Sequence, residues 1–256
     1  MQPFILLLLS LLGLQTASAQ SVWKTRFTGA GFSTTPRKIC LVVYKEEKLL
    51  EVWGERSDGT SARVHTFPVL ALCDTPGPKR RQGDGMTPEG LYRIALFNPR
   101  SLFHLSMKID YPNASDRMLG RRGDLGGDLF IHGGRATAGC VAIGDPAIEE
   151  LYALCRSYGT GTPVLIFPSN DSARWNALLA LWQQHERWDL RDFHANLRII
   201  WDRWTSTRRV PERTVLRSGA YASTAWDGAG ENVFYGAVPA ALLPRDTRTG
   251  LHDRPD

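Results

Sequence analysis

Short apolar stretches separated by turn-forming residues are the feature that most constrains how this chain can fold. Between Lys38 and Phe167 these stretches are rich in Val, Ile, Leu, Phe and Tyr, as strands are: ICLVVYK, KLLEVWG, VHTFPVLALC, GLYRIALF, SLFHLSMKI, GDLFIHG and GTPVLIF. Clusters of Gly, Pro, Asn and Asp lie between them: CDTPGPKRRQGDGMTPEG, YPNASD and GRRGDLGGD. The pattern predicts a mainly β domain of the α+β class.

One helix is predicted to interrupt this β domain. In PAIEELYALCRSYG, four residues have the i, i+3, i+4, i+7 spacing of one helix face: Ile148, Leu151, Tyr152 and Cys155. Asp145 suits the N-cap, Pro146 the first helical position, and Gly159 the position just past the end. We therefore expect a short helix that packs one face on the β domain, with Cys155 as a small core residue.

After Pro168 the chain is predicted to become helical and then to lose regular structure. SARWNALLALWQQHERW and LRDFHANLRIIWDRW are dense in Trp and Leu, which indicates packing against the β domain. RRVPERTVLRSG, further on, is basic and predicts a loosely ordered tail. The chain thus divides into a leader over residues 1–19, a β domain over 36–168, a helical extension over 169–207 and a tail over 208–256.

The first residues, MQPFILLLLSLLGLQTASAQ, have the pattern of a secretory signal peptide. The apolar run from Phe4 to Leu14 is shorter than the about 20 residues that span a bilayer, and Ala17-Ser18-Ala19 is a small-x-small cleavage pattern. We expect cleavage after Ala19 and a soluble exported protein with no stable membrane insertion. Because no Lys or Arg precedes the apolar run, an uncleaved anchor is the alternative.

Charge and composition narrow the class of partner only slightly. The chain is 43% hydrophobic and 22% charged, which is ordinary for a globular protein. Its net charge of +5 and isoelectric point near 9.2 favour attraction to an anionic surface such as a cell wall. They do not call for nucleic acid as a partner.

The chain has four cysteines, Cys40, Cys73, Cys140 and Cys155, and in an exported protein an even number suggests disulfides. Cys40 lies in the apolar KICLVVY and is predicted to be a core residue, with a Cys40–Cys73 disulfide as the alternative. Cys140 differs, because its neighbours are Gly, Ala and Thr rather than a periodic apolar face. No C-x-x-C or H-x-x-H spacing occurs, so no metal or other cofactor is predicted.

His132 and Cys140 lie in IHGGRATAGCVAIGD, residues 131–145, and this combination suits nucleophilic catalysis. The thiolate is the reactive form of Cys, and a neighbouring imidazole can take its proton. Because His132 ends GDLFIH and Cys140 enters CVAI, the loop GGRATAG can bring the two together. Backbone N–H groups around Gly139 and Cys140 can then face an oxyanion. From spacing alone, His132 is equally well a core histidine.

Several segments of the chain, in order, resemble the YkuD-type L,D-transpeptidases. FIHGGRATAGCVAIGD is similar to the family signature, His-Gly followed by Ser/Ala-x-Gly-Cys. GDGMTPEGLYRI, residues 83–94, looks like the upstream segment G-D-x-x-T-P-x-G-x-Y. FNPRSLFHLSMKIDYPNASD, residues 97–116, and the helical FPSNDSARWNALLALW resemble the YafK-like branch in particular. The resemblance covers about residues 38–205.

This resemblance implies a bacterial cell-wall enzyme of the periplasm, with the family's β-rich sandwich and no cofactor. Cys140 would be the nucleophile, His132 the base, and the Gly133 carbonyl the group that orients the base. In the family reaction the thiolate attacks the diaminopimelate carbonyl of a peptidoglycan tetrapeptide stem, D-Ala leaves, and an amine resolves the thioester. The resemblance thus implies peptidoglycan stem peptides as the substrate and a role in cell-wall biogenesis and cell shape.

The chain departs from the family pattern two residues after the cysteine, where many members have Arg and this chain has Ala142. The family Arg is implied to hold part of the substrate, so we expect Arg135 or Arg93 to offer a positive charge to a substrate carboxylate, and Gly139 to line the same site. The segment GPKRRQGDGMTPEG either shapes the turn into LYRI or touches the substrate through two of its side chains, Asp84 and Thr87.

Two rival functions stay open. The YafK-like branch also lacks the Arg and includes hydrolases that release a lipoprotein from peptidoglycan, which implies a wall-linked lipoprotein as a partner of such a hydrolase. The rival of another class is a non-catalytic wall-binding protein, against which the presence of both His132 and Cys140 argues. If the pair is catalytic, we expect Cys140 to alkylate faster near neutral pH than a free thiol, and His132→Ala to slow it.

Overall fold

The computed structural model describes residues 20–222 and two short strands at residues 224–225 and 233–234. The predicted signal peptide, residues 1–19, lies outside the described residues. The main sheet has eight strands in the order β3-β2-β1-β8-β4-β5-β6-β7. In chain order they are β1 (Ile39–Tyr44), β2 (Leu49–Glu55), β3 (Ser61–Pro68), β4 (Gly90–Ser101), β5 (His104–Ile109), β6 (Phe130–His132), β7 (Val141–Ala142) and β8 (Pro163–Phe167).

Five helices pack around this sheet within the described part of the chain: α1 (20–29), α2 (Ala114–Leu119), α3 (Asp145–Tyr158), α4 (Ser172–Gln184) and α5 (Trp188–Thr207). The strands β9 (Thr224–Ala225) and β10 (Val233–Phe234) form a separate antiparallel pair. The β-rich domain with helices after it confirms the predicted α+β fold class. No helix of the described part is both long and apolar enough to cross a membrane.

The sheet curls until its two ends meet. Ala71, three residues past β3, forms a bridge with Ala142 of β7, at the opposite end of the strand order. Most neighbouring strands are antiparallel, but β1 pairs with β8, and β6 with β7, in parallel. Closure of this kind buries one face of nearly every strand in a shared core and places the β6–β7 pair at the seam.

Two hydrophobic cores lie on opposite faces of the sheet, and the alternation of side chains along β1 shows both. Ile39, Leu41 and Val43 belong to the inner core, which lies inside the curled sheet and where α1 and α3 also pack. The alternate residues belong to the outer core, which is covered by α4 and α5; they are Cys40, Val42 and Tyr44. A strand with both faces covered has no room for polar alternation, which explains the unbroken apolar run ICLVVY.

Three details of the helices differ from the sequence prediction. YPNASD, predicted to be a turn, contains the start of α2, because Asn113 and Asp116 form a capping box that stabilises a helix of six residues. The helix α1 was not predicted. Its Trp23 and Phe27, one helical turn apart, pack into the inner core and hold the helix there. Asp145 is the first residue of α3 rather than its N-cap, which is Gly144.

The first part of the predicted tail packs on the domain. The Arg209 guanidinium donates to the Asp58 carbonyl, and Tyr221 is buried in the outer core with its hydroxyl accepting from the Leu91 amide. Because these contacts join residues more than 100 positions apart, basic composition alone did not indicate them. The rest of the predicted tail, apart from β9 and β10, lies outside the described residues.

Candidate active site

Strand pairing brings the two ends of the loop GGRATAG together. His132 is the last residue of β6 and lies opposite Ala142 of β7, while Cys140 immediately precedes β7. Cys140 is therefore two residues along the neighbouring strand from the position that faces His132. The parallel β6–β7 pair needs a crossover between its strands, and the glycine-rich loop supplies it.

The His132 imidazole is held by a backbone carbonyl. Its side chain is buried, with 1% of its surface exposed, and its Nδ1 lies 2.5 Å from the Gly133 carbonyl oxygen. A carbonyl can only accept, so Nδ1 carries the hydrogen and Nε2 has a free lone pair. Nε2 is buried and has no hydrogen-bond partner. Burial holds the pKa of His132 below its ordinary value, against the opposing effect of the Gly133 carbonyl.

The Cys140 thiol rests on the backbone of the segment that enters β6. Its Sγ lies 3.5 Å from the Asp128 carbonyl oxygen, to which it donates, and it accepts from the Phe130 amide at 3.4 Å. Burial raises the pKa of Cys140; the Phe130 amide and the Thr137 hydroxyl oppose that rise. The expectation that Cys140 alkylates faster than a free thiol stays a prediction, in which the base His132 would have to offset the effect of burial.

The loop between His132 and Cys140 is fixed at several points. Gly134 N donates to Asp145 Oδ1 at 2.7 Å, and the Thr137 hydroxyl donates to the Cys140 carbonyl at 2.9 Å. Gly139 has φ +103°, and a Cβ on it would lie 2.6 Å from the Met86 carbonyl oxygen. Only glycine fits there, because the backbone conformation and the close approach both exclude a side chain. Arg135 is exposed in this loop.

The upstream segment reaches the same loop through its backbone. Met86, whose carbonyl contacts Gly139, lies in a turn that is built on Asp84. The Asp84 carboxylate accepts from Lys79 Nζ at 2.7 Å and from the amides of Arg80, Arg81 and Met86. Burial alone would raise the pKa of Asp84, but these donors lower it. Both oxygens of Asp84 are thus engaged in shaping the turn, and its contact with substrate stays a prediction.

Thr87 is likewise engaged by a hydrogen bond. Its side chain is completely buried, and its hydroxyl accepts from the Cys73 amide at 2.9 Å. Burial and this hydrogen bond favour the turn-shaping alternative for Thr87, and its contact with substrate stays a prediction. All four cysteines are free, so Cys40 and Cys73 are not joined; Cys40 is buried in β1 and the Cys73 sulfur lies 3.6 Å from that of Met86.

A buried ionic cluster beneath this segment was not predicted. Lys45 Nζ donates to Glu89 Oε1 at 2.7 Å and to three carbonyl oxygens of the loop before β4, those of Thr75, Gly77 and Thr87. Glu89 Oε2 lies 2.6 Å from Nε2 of His194 in α5. Burial alone would raise the pKa of Glu89, but Lys45 and His194 outweigh it and lower the pKa to about 2. The sequence signal was a charged residue ending the apolar run ICLVVYK.

Arg93 belongs to β4. It lines a separate cleft of about 1060 Å³ together with Tyr158, Gly161 and Arg213, and this cleft includes neither His132 nor Cys140. Its guanidinium reaches the Gly161 carbonyl oxygen at 3.5 Å. The expectation that Arg135 or Arg93 supplies the missing positive charge stays a prediction; of the two, Arg135 lies in the loop between His132 and Cys140. Within the described residues, no group of three His, Cys, Asp or Glu side chains is placed to hold a metal ion.

The candidate site thus consists of a carbonyl-held histidine at the end of β6 and a cysteine just ahead of its parallel neighbour β7. The chain belongs to the YkuD family: the model of the L,D-transpeptidase catalytic domain matches residues 38–166. Among known proteins, "Putative L,D-transpeptidase YafK" of Escherichia coli K12 is 27% identical over 208 residues, which cover 75% of this chain and 81% of YafK. The corresponding protein of Escherichia coli O157:H7 matches equally.

Two solved structures are also similar to this chain. The helical cell shape determining protein Pgp2 of Campylobacter jejuni has 20% sequence identity and a TM-score of 0.43, over 66% of this chain and 57% of Pgp2. Bd1075 of Bdellovibrio bacteriovorus has 22% identity and a TM-score of 0.40, over 67% of this chain and 63% of Bd1075. The family match and the YafK match define a cell-wall, L,D-transpeptidase-like protein.

Proposed function

We propose that this chain is an exported L,D-transpeptidase that joins peptidoglycan stem peptides, with Cys140 as the nucleophile. The observation that carries the proposal is the state of His132. Its Nδ1 is committed to the Gly133 carbonyl, and its Nε2 is a buried acceptor without a partner. An unpaired buried acceptor costs about 1–3 kcal/mol. We therefore infer that a proton donor reaches Nε2 during the reaction. The Cys140 thiol is that donor.

Acylation begins with general-base catalysis. The thiol turns from the Asp128 carbonyl to Nε2 and gives up its proton as the sulfur attacks the diaminopimelate carbonyl carbon. The new C–S bond forms, and the amides near Gly139 and Cys140 stabilise the oxyanion. The C–N bond to D-Ala then breaks, and the imidazolium returns the proton to the leaving amine. Because the pKa of His132 is held down, the imidazole is neutral and ready at pH 7.

Deacylation runs through the same groups. An acceptor amine attacks the thioester carbonyl, Nε2 takes a proton from it, the C–S bond breaks and the thiol is restored. Water in place of the amine would make the protein a hydrolase, for example on a peptidoglycan–lipoprotein amide. A non-catalytic wall-binding role would use neither residue.

Recognition of the donor stem differs from that of family members with Arg two residues after the cysteine. Ala142 is completely buried, its backbone pairs with β6 and with Ala71, and its methyl group offers the substrate no positive charge. Arg135 lies in the His132–Cys140 loop with an exposed side chain and is the cation proposed to bind a stem-peptide carboxylate. Residues 1–19 are proposed to direct the chain to the periplasm, where peptidoglycan stem peptides are made available.

The test uses the mature protein with purified muropeptides and mass spectrometry. One substrate is a tetrapeptide stem with a free D-amino acid; the other is a stem linked to a lipoprotein-derived lysine. Exchange of the terminal D-Ala, lost in Cys140→Ala and kept in Cys73→Ser, is the expected result. Release of the lysine peptide with water incorporated would make the protein a hydrolase. No turnover of either substrate would contradict both and favour the wall-binding protein.

A further inference from the structure

The hairpin that joins β4 to β5 reaches over the imidazole of His132. The ring of Phe103, at the tip of this hairpin, has its centroid 4.7 Å from that of His132, with the ring planes inclined by 36°. Leu102, the other tip residue, is 99% exposed, whereas Phe103 is 44% exposed. One residue of the tip therefore covers the imidazole and its neighbour points into solvent.

Backbone contacts fix the tip relative to His132. The Gly133 amide donates to the Leu105 carbonyl at 3.1 Å, and a Cβ on Gly133 would lie only 2.7 Å from the Phe103 carbonyl oxygen. On the outer side, His104 Nε2 lies 2.7 Å from Glu149 Oε1 of α3. These contacts fix the backbone of the tip on both sides of Phe103 and thereby place its ring against the imidazole.

The Nε2 atom of His132 is also shielded from solvent. This atom is buried and has no hydrogen-bond partner, although it belongs to a site that must admit a substrate. The titratable groups on the surrounding elements are Cys140 ahead of β7, Asp145 and Glu149 of α3, and His104 of β5. Asp145 accepts from the Gly134 amide and Glu149 pairs with His104, so burial is the main influence on the imidazole.

We propose that Phe103 positions His132 and excludes water from Nε2, and that it thereby favours resolution of the thioester by an amine over hydrolysis. The inference rests on the proposed function. For hydrolysis, a water must sit against Nε2, give it a proton and attack the thioester carbonyl, so that a C–O bond forms as the C–S bond breaks. An apolar ring offers such a water no hydrogen bond. An acceptor amine is carried to Nε2 by its own bound peptide and does not need a hydrogen bond from the ring.

The first arm of the test measures the ratio of transfer to hydrolysis products from a tetrapeptide stem with an amine acceptor. A product ratio does not depend on the folded fraction of a variant. Phe103→Ala is expected to raise the hydrolysed share several-fold, and Phe103→Leu, which keeps an apolar cover, to restore most of the transfer. Leu102→Ala is the matched control on the same tip and is expected to keep the ratio of the unmodified protein.

The second arm needs no substrate. The titration of His132 is followed by NMR in the unliganded protein, with its signal assigned by its loss in His132→Gln. Phe103→Ala is expected to move the pKa of His132 up towards its ordinary value, and Leu102→Ala to leave it unchanged. Equal titration and equal product ratios in the two variants would overturn the inference and leave the proposed function standing. Absence of turnover in the unmodified protein would overturn both the proposed function and the claim that Phe103 favours transfer over hydrolysis. The titration would still decide whether Phe103 positions His132.

Discussion

At the residue scale, the backbone of Gly139 is as demanding as any side chain of the site. Its φ of +103° and the Met86 carbonyl oxygen, which would lie 2.6 Å from a Cβ at this position, both exclude alanine. Gly139→Ala is expected to cost about 1–3 kcal/mol of unfolding free energy and to displace Cys140, with a marked loss of transpeptidation. Gly134→Ala, at φ +64° with only an ordinary contact to Phe103 Cδ1 at 3.7 Å, is the control in urea unfolding and in the activity assay. Equal behaviour of the two variants would contradict this role of the Met86 contact.

The protonation of His132 predicts how activity depends on pH. Burial depresses the pKa of His132 below 6.5, and the neutral imidazole is the form that accepts the thiol proton. The value of kcat/KM is therefore expected to fall as the pH drops through this depressed pKa, with an acid limb centred below pH 6.5. The folded state also binds fewer protons there than the unfolded state, so stability is lost in the same direction. A limb centred above pH 6.5 would argue against a buried neutral base.

At the element scale, the ionic cluster couples α5 to the loop that approaches Cys140. Glu89 is completely buried between Lys45 and His194, and removing its charge leaves a buried ammonium without a counter-charge. Glu89→Gln is expected to lower the free energy of unfolding by about 3–5 kcal/mol, measured by urea denaturation. The exposed Lys48–Asp74 pair is the control, since Asp74→Asn should change it by about 0–1 kcal/mol. A small effect of Glu89→Gln would mean that the cluster is not a charged one.

At the scale of the whole molecule, the β domain and the helices α4 and α5 share the outer core. Trp175 of α4 and Trp204 of α5 are completely buried in the cluster that also contains Val42 and Leu165 of the sheet. The chain is therefore expected to unfold in one transition, with coincident midpoints for Trp fluorescence and far-UV circular dichroism. Two separated transitions would show that α4 and α5 form an independent unit.

Export makes a prediction at the same scale. The helix α1 covers residues 20–29 and its Trp23 is buried in the inner core, so cleavage after Ala19 would leave every described core residue in place. Protein recovered from the periplasm of an expressing bacterium is expected to begin at Gln20, as measured by intact mass. A mass that includes the leader would favour the uncleaved anchor.

The sequence by itself determined the local features of this protein. Runs such as ICLVVYK and the Leu and Trp spacing of α5 specify strands and helices through contacts a few residues long. The order of His132, the glycines and Cys140 likewise indicated the family and the candidate site, because these residues are close neighbours in the chain. α2 escaped prediction because its six residues show no periodicity and depend on a cap.

Only the tertiary structure decided which distant groups meet. Two contacts join residues remote in sequence: the Phe103 ring against His132, and the cluster of Lys45, Glu89 and His194. Arg93 lines a cleft that includes neither His132 nor Cys140. The tertiary structure also decided the surroundings of Cys140, where burial raises the pKa of the thiol and the Phe130 amide and the Thr137 hydroxyl oppose that rise. Such burial is set by how the sheet curls and what packs on it, and no local pattern encodes that.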